Sequence, residues 1–449
     1  MQAVRIKEEQ RSLTKEQREA VGLLSIGTFL EYFDLMLYVH MAVLLNELFF
    51  EKTDPHTATV ITAFAFCSTY LLRPIGALIF GWIGDNIGRK VTVIITTMMM
   101  AISCIVMANL PTYAQIGISA SWVVTICRIM QGMSSMGEIT GAQLYLTETI
   151  HAPARYPAVA TMNLCAALGT FIALGVAFLV TSFGLNWRIA FWVGAGVAGI
   201  GMVARTKLRE TADFVDARHK YKEMLENFKI DSAEPLIINP IVNPKVSLKT
   251  SLSLLLMDCM WPVCFYFAYI HCANVLKHSF NYSAEQIIFN NFITSGVQVL
   301  NVLIVIALSY KVYPLLILKV KLILSSLVLI ATPFLLNNAQ SGLEVLAIQS
   351  LMLFLACDAS PANAIFFKHF PVFKRFTYTS VIYAISRAVI YAITSFGLIY
   401  LTKYFGNYGI LFIIIPVILG CAYGLSHFIK LEKKAGNYPN NLCKAQKVQ

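Results

Sequence analysis

Twelve apolar runs recur along this sequence. Six lie near 20–47, 57–84, 90–109, 114–148, 156–182 and 187–206, and six more near 250–276, 284–310, 314–336, 342–367, 377–402 and 406–429. A helix needs about 20 residues to cross the hydrocarbon of a bilayer, because it rises about 1.5 Å per residue. Each run is long enough, and in lipid only a helix or a closed barrel satisfies its own backbone. The pattern therefore predicts an all-α membrane protein with twelve transmembrane helices in two six-helix bundles. Of the 449 residues, 57% are hydrophobic and only 13% are charged, too little polar surface to cover a soluble domain.

The divisions expected from this pattern are a cytoplasmic N-terminus over 1–19, a first bundle over 20–206, a linker over 207–249, a second bundle over 250–429 and a short cytoplasmic tail over 430–449. The linker carries Pro235, Pro240 and Pro244 with mixed charges, and a short amphipathic helix is expected at 211–228. Residues 1–19 are charged throughout, and the first apolar run is too long for a signal peptide, so it is expected to remain as a span.

A formal net charge of +11 would ordinarily raise nucleic acid as a partner. The position of the charge argues otherwise. With the N-terminus inside, nearly all lysines and arginines fall on cytoplasmic segments. Only Lys52, Arg188, Lys277 and Lys403 fall on opposite loops, and Arg73, Arg128 and Arg387 lie in or beside spans. That asymmetry is the positive-inside pattern, with both termini cytoplasmic and no nucleic-acid partner. The ten cysteines form no CxxC pair, so neither a disulfide framework nor a zinc site is indicated, and Cys259, Cys264 and Cys272 read as small buried hydrophobes. No GxxxxGK[ST], HExxH or GxSxG motif argues for an ATP-driven pump or a hydrolase. No enzymatic activity, metal or cofactor is expected.

The two halves carry related turns. LTETIHAPARYPAVA (146–160) closes the fourth span and IFFKHFPVFKRFTYTSV (365–381) the tenth, with Arg155 and Arg375 220 residues apart. With six helices on each side, this suggests two parallel repeats about an axis normal to the membrane.

Between the second and third spans stands GWIGDNIGRK, Gly81–Lys90. Glycine permits a tight turn and close helix approach, and Asp85 is suited to cap a neighbouring helix. Gly81, Asp85, Gly88, Arg89 and Lys90 are the expected gating loop. The spacing resembles the signature of the major facilitator superfamily, which implies the major facilitator fold. The fourth span carries RIMQGMSSMGEITGAQLYLTE (128–148), in which Gln131, Ser135 and Glu138 recur at helical spacing and Gly132, Gly137 and Gly141 admit a close neighbour. With GTFLEYFDLMLYVHM (27–41), it resembles the metabolite:proton symporter branch of that superfamily, which includes proline/betaine transporters and carriers of dicarboxylates and citrate. The resemblance covers the first six spans well. In the second half the corresponding loop, SYKVYPLLILKVK (309–321), has no aspartate or glycine pair, so a symmetric latch is not expected. The tail shows no heptads, and osmotic regulation through a coiled coil is not supported.

Glu31 and Asp34 sit three residues apart in the first span, with Tyr38 continuing their face. An ionisable residue within a span is a functional candidate by default. Burial raises a carboxylate's pKa and a nearby arginine lowers it, so a site that alternates between these surroundings loads and releases a proton. The resemblance implies an acid on the first span opposite an arginine on the fourth: Asp34 for proton coupling, Arg128 as counter-charge, Glu31 second. The alternative is a static polar network that holds the helices together. Candidate cavity residues are Tyr38, Arg73, Gln131, Glu138, Asp358 in the kinked CDASPAN segment, and Arg387 as the partner of Asp358. His271 and Asp258 on the seventh span, thirteen residues apart, are lesser candidates.

The expected function is proton-coupled uptake of a small polar metabolite by alternating access in a bacterial inner membrane. The resemblance favours a zwitterion of the proline or betaine kind. A proton-coupled di- or tricarboxylate carrier is the alternative, followed by a drug exporter or a non-transporting receptor. The expected partners are the small-molecule substrate, protons and the lipid bilayer, with no obligate protein partner. The proton gradient supplies the energy.

Overall fold

The computed structural model describes residues 10–50, 67, 69–205 and 246–439. The expected linker therefore lies, apart from its last residues, outside the described residues, as do its amphipathic helix and the start of the second span. Six helices form the first half: α1 (Lys15–Phe49), α2 (Arg73–Asn86), α3 (Arg89–Asn109), α4 (Ile118–Thr149), α5 (Arg155–Ser182) and α6 (Arg188–Arg205). Six form the second: α7 (Leu248–Ser279), α8 (Ala284–Lys311), α9 (Pro314–Asn338), α10 (Gly342–Leu355), α11 (372–405) and α12 (Leu411–Lys434). The protein is an all-α, twelve-helix membrane protein built as two six-helix bundles.

Its surface inverts the rule for soluble proteins. Trp122, Leu327 and Leu419 stand more than 60% exposed on its outer face, while Asp34, Arg128 and Gln349 are buried. Lipid replaces water as the solvent of the outer face, so charge moves inward.

Local chemistry sets the helix ends. Ser283 accepts from the Gln286 amide at 3.3 Å while Gln286 Oε1 accepts from the Ser283 amide at 2.9 Å, a capping box that starts α8. Pro314 opens α9 at its first turn, where its missing N–H costs nothing. Gly406, at φ 56°, ends α11 in a conformation that favours glycine. The tenth span departs from the single helix expected over 342–367. It stops at Leu355, runs irregularly through 356–362 and resumes at Asn363. Pro361 lacks an N–H and disfavours helix at the residue before it, so the ladder breaks there. Helices α7 and α11 each contain a wider π-helical turn, Tyr266–His271 and Ile393–Gly397.

The halves meet along α2 with α11 and α5 with α8, two pairings that exchange under the repeat. On the first, a Cβ on Gly81 would lie 2.7 Å from the Thr377 Cα, so only glycine admits this approach. On the second, Phe171 stacks on Phe292 at 4.5 Å. The related arginines behave alike: Arg155 Nε donates to the carbonyl of Ile150, and Arg375 Nε to that of Phe370 at 3.1 Å, each reaching back five residues.

One end of the molecule gathers the N-terminal segment, the α2–α3, α4–α5, α8–α9 and α10–α11 loops, and the end of α12. Ala154 N–H donates to the Gln10 carbonyl at 3.1 Å, Tyr310 Oη to that of Arg11 at 3.1 Å, and Tyr313 Oη to Glu432 Oε2 at 2.7 Å. His369 pairs with the other oxygen of Glu432 at 2.9 Å.

Candidate transport cavity and its gate

A central cavity of about 1020 Å3, its mouth included, lies between the halves. The first half contributes Tyr32, Tyr70, Arg73, Gln143 and Asn163, and the second Asp258, Trp261, Lys321, Asp358, Tyr383 and Arg387, among others. Carboxylates and cations thus face one space, beside aromatic rings. A concave site at which polar groups of both signs converge beside aromatic rings suits a small polar molecule.

Backbone geometry places several of these groups. Pro262 cannot donate to the carbonyl of Asp258, four residues earlier, and α7 is interrupted at Cys259. Arg387 Nη1 donates to that carbonyl at 3.3 Å and to Ser386 Oγ at 2.9 Å, with its guanidinium 3.4 Å from the Tyr383 ring centroid. Tyr383 Oη and Tyr32 Oη are hydrogen-bonded at 2.9 Å, across the two halves. Asp358 sits in the α10 break and accepts from Asn163 Nδ2. Asp358 and Arg387, expected to pair, both line the cavity and lie within electrostatic reach but form no direct ion pair, and Arg387 Nη1 donates to the orphan carbonyl and its own neighbour.

Lys321 is a residue that sequence reasoning missed. It counted there as a cytoplasmic topology charge. Two turns into α9, it instead lines the cavity and donates Nζ to Asn301 Oδ1 at 3.1 Å. Its only signal was position, since Lys321 falls well past the Pro314 that starts the helix.

The expected proton site lies elsewhere. Asp34 is 2% exposed and accepts from Cys104 Sγ at 3.0 Å, and its second oxygen has no hydrogen-bond partner among the described residues. Gly194 of α6 lies close by, a Cβ there reaching 3.4 Å from Cys104 Sγ. Arg128 is within electrostatic reach of Asp34 but forms no ion pair with it. It donates to Gln131 Oε1 at 2.9 Å and lies over the Tyr38 ring at 4.1 Å. Glu31, 1% exposed, neighbours Tyr32. None of Asp34, Glu31 and Arg128 lines the cavity. Tyr38 and Gln131, expected to line it, are instead buried around Arg128, because their helix faces turn toward the α1–α4 interior. Arg73, Asp358 and Arg387 do line it. The side chains of Glu138 and Arg89 lie outside the described residues. His271 faces Asn407, with Nε2 at 3.2 Å from its Oδ1.

Below the cavity the loop end is closed by contacts between halves. Asp85 Oδ1 accepts from the Phe376 amide at 3.2 Å, and Oδ2 accepts from the amide and hydroxyl of Thr377 at 2.8 and 2.7 Å. A carboxylate here meets the positive end of α11. Gly84 lies beneath the Phe376 ring. Gly88, at φ 147°, turns the chain from α2 into α3, and Lys90 lies in the first turn of α3. Arg375 Nη1 pairs with Glu148 Oε1 at 3.0 Å, a buried bridge from α11 to α4. Asn363 Nδ2 donates to Gln143 Oε1 at 2.9 Å, and Gln143 Nε2 to Asn163 Oδ1 at 2.8 Å, tying the α10 break to α4 and α5. The second half's counterpart of the Asp85 loop meets the first half through Tyr313, edge-on to Tyr156 at 6.1 Å, and through Tyr310, which donates to the Arg11 carbonyl.

Two helical bundles around a central polar cavity, latched at one end by groups from both, define the architecture of a membrane carrier. The sequence profile of the Major Facilitator Superfamily matches residues 24–394, and the chain belongs to that family, whose members are membrane transporters and not enzymes. It is 37% identical over 200 residues to the inner membrane metabolite transport protein YhjE of Escherichia coli, covering 42% of this chain and 45% of that protein. It is 28% identical over 284 residues to the proline/betaine transporter of Escherichia coli, covering 60% and 55%. The chain thus spans about half the length of the curated relatives it matches. Among solved structures, the proton:xylose symporter XylE aligns with a TM-score of 0.72 over 92% of this chain and 96% of that one, at 13% identity, a likeness of fold alone.

Proposed function

We propose that this protein is a proton-coupled secondary transporter that takes up a small polar zwitterion by alternating access. The observation that carries the reading is the mixed charge of the central cavity: Asp258 and Asp358 face the same space as Arg73, Lys321 and Arg387. A molecule bearing both a carboxylate and an ammonium finds a partner for each pole there. The relative named as a proline/betaine transporter supports the same class.

Asp34 is the proton acceptor in this reading, with Arg128 as its nearby positive charge and Glu31 second. The two groups are within electrostatic reach without being ion-paired, and Arg128 is held by Gln131 and the Tyr38 ring instead. The proton site and the cargo cavity are separate chambers on α1: Tyr32 and Met36 line the cavity while Asp34 faces α3. Coupling then runs through the tilt of α1, and not through direct contact between proton and cargo. Opening the loop end requires release of Asp85 from α11 and of Glu148 from Arg375. The positive-inside pattern and the gathering of Gln10, Arg11 and the end of α12 at the latched face support cytoplasmic termini, and the bacterial relatives support the inner membrane.

A di- or tricarboxylate is the second reading, favoured by the three cations around the cavity. Competition of labelled uptake in cells expressing the protein separates the two. Inhibition by proline or betaine and not by citrate or oxoglutarate supports the zwitterion, and the reverse overturns it.

A further inference from the structure

The polar groups of the cavity differ in how fully they are satisfied. Asp358 is held by Asn163, Lys321 by Asn301, and Arg387 by a carbonyl, a hydroxyl and a ring. Asp258 is different. It is 8% exposed, lines the cavity, and has no hydrogen-bond or ion-pair partner for its carboxylate among the described residues. Arg387 lies within electrostatic reach of Asp258 but donates to its backbone carbonyl and not to the carboxylate. Across the cavity, Arg73 is 3% exposed and its Nε and Nη2 have no hydrogen-bond partner among the described residues. A buried carboxylate and a buried guanidinium, each short of partners, face one space from opposite halves. Unmet buried charge of this kind is costly unless a ligand completes it.

The aromatic groups argue about the form of the positive pole. A quaternary ammonium has no N–H and binds by resting on open aromatic faces. Here one face of Tyr70 is taken by Arg73 at 4.3 Å and one of Tyr383 by Arg387 at 3.4 Å, while Trp261 lines the cavity with no cation over it among the described residues. Beside that ring the cavity offers a cation the carboxylate of Asp258, whose need for hydrogen-bond donors an N–H ammonium meets and a quaternary one does not. We propose that Asp258 is the ammonium-recognising residue of the cavity and Arg73 the carboxylate-recognising one, so that the cargo is an amino acid with at least one N–H and not a betaine. This inference rests on the zwitterion reading above. It has a mechanical consequence: the two poles of the cargo bind opposite halves, so occupancy draws the bundles together.

The test uses the full chain in lipid nanodiscs, with binding measured for glycine, alanine and proline, each beside its N-permethylated form, and for succinate and citrate. Hydrogen bonds to a charged group predict that at least one N–H amino acid binds about tenfold or more tightly than its permethylated form. Asp258→Asn should close that gap and Asp258→Glu should retain part of it. Permethylated forms that bind equally or better overturn the inference and leave the zwitterion reading standing. Binding of succinate or citrate alone overturns both. A gap that survives in Asp258→Asn overturns the role of Asp258. The wild-type comparison needs no variant to fold.

Discussion

Arg387 donates from α11 to the main-chain oxygen of Asp258 on α7 at 3.3 Å, filling a position that Pro262 leaves open. Proline at this point does two things. It frees a carbonyl inside the membrane, where an unpaired one is expensive, and it fixes an arginine at the cavity wall. Arg387→Met should lower the thermal unfolding midpoint in detergent, since an orphaned buried acceptor costs about 1–3 kcal/mol. Adding Pro262→Ala restores a helical N–H to that carbonyl, so the double variant should recover part of the loss. A double variant no more stable than Arg387→Met contradicts this role.

Asp34→Asn keeps the shape of the side chain and removes its charge. Uptake driven by a pH gradient should fall about tenfold or more, because the coupled cycle needs a group that titrates. Exchange of labelled for unlabelled cargo across vesicles without a gradient should stay within about threefold of wild type, since Asp34 does not touch the cavity and the loss belongs to the proton step alone. Equal loss of both activities would make Asp34 a structural residue.

Asp85→Asn weakens three hydrogen bonds to the start of α11. Charge-assisted bonds are worth about 1.5–3 kcal/mol each, so the closed state of the loop end should lose at least about tenfold in population. Spin labels on the α2–α3 loop and at the start of α11 should report a longer mean distance. An unchanged distance distribution would remove Asp85 from the gate.

Glu148 and Arg375 form a buried pair across the halves. Either single alanine substitution takes a charge-assisted hydrogen bond from the buried partner, at a cost of about 1.5–3 kcal/mol, and the double variant should lose less stability than the two single losses added together. Thermal melts of the four proteins measure this coupling. Strict additivity would mean that the pair contributes nothing as a pair.

Much of this arrangement could be read from the sequence because it is local or periodic. The spans follow from length and hydropathy, and the capping role of Asp85 from its place in a glycine turn. What escaped is what depends on neighbours. Spacing put Asp34 and Tyr38 on one face of α1 but gave no indication which helix that face meets, and it meets α3 and α4 away from the cavity. Lys321 read as a flanking charge because its depth depends on where Pro314 starts α9. The bridge between Glu148 and Arg375 joins groups 227 residues apart, beyond any local pattern. Cys104 carried no signal in its apolar run, and its donation to Asp34 appears only in three dimensions.

The most direct measurement is uptake into vesicles containing the purified protein, with a labelled amino acid outside and an imposed pH difference, acid outside. One pH unit is worth about 1.4 kcal/mol per proton, enough for about tenfold accumulation at one proton per cargo. Accumulation above equilibrium that collapses when a protonophore is added is the predicted result. Equilibration to the outside concentration and no further, at the same rate with or without the gradient, would contradict proton-coupled transport.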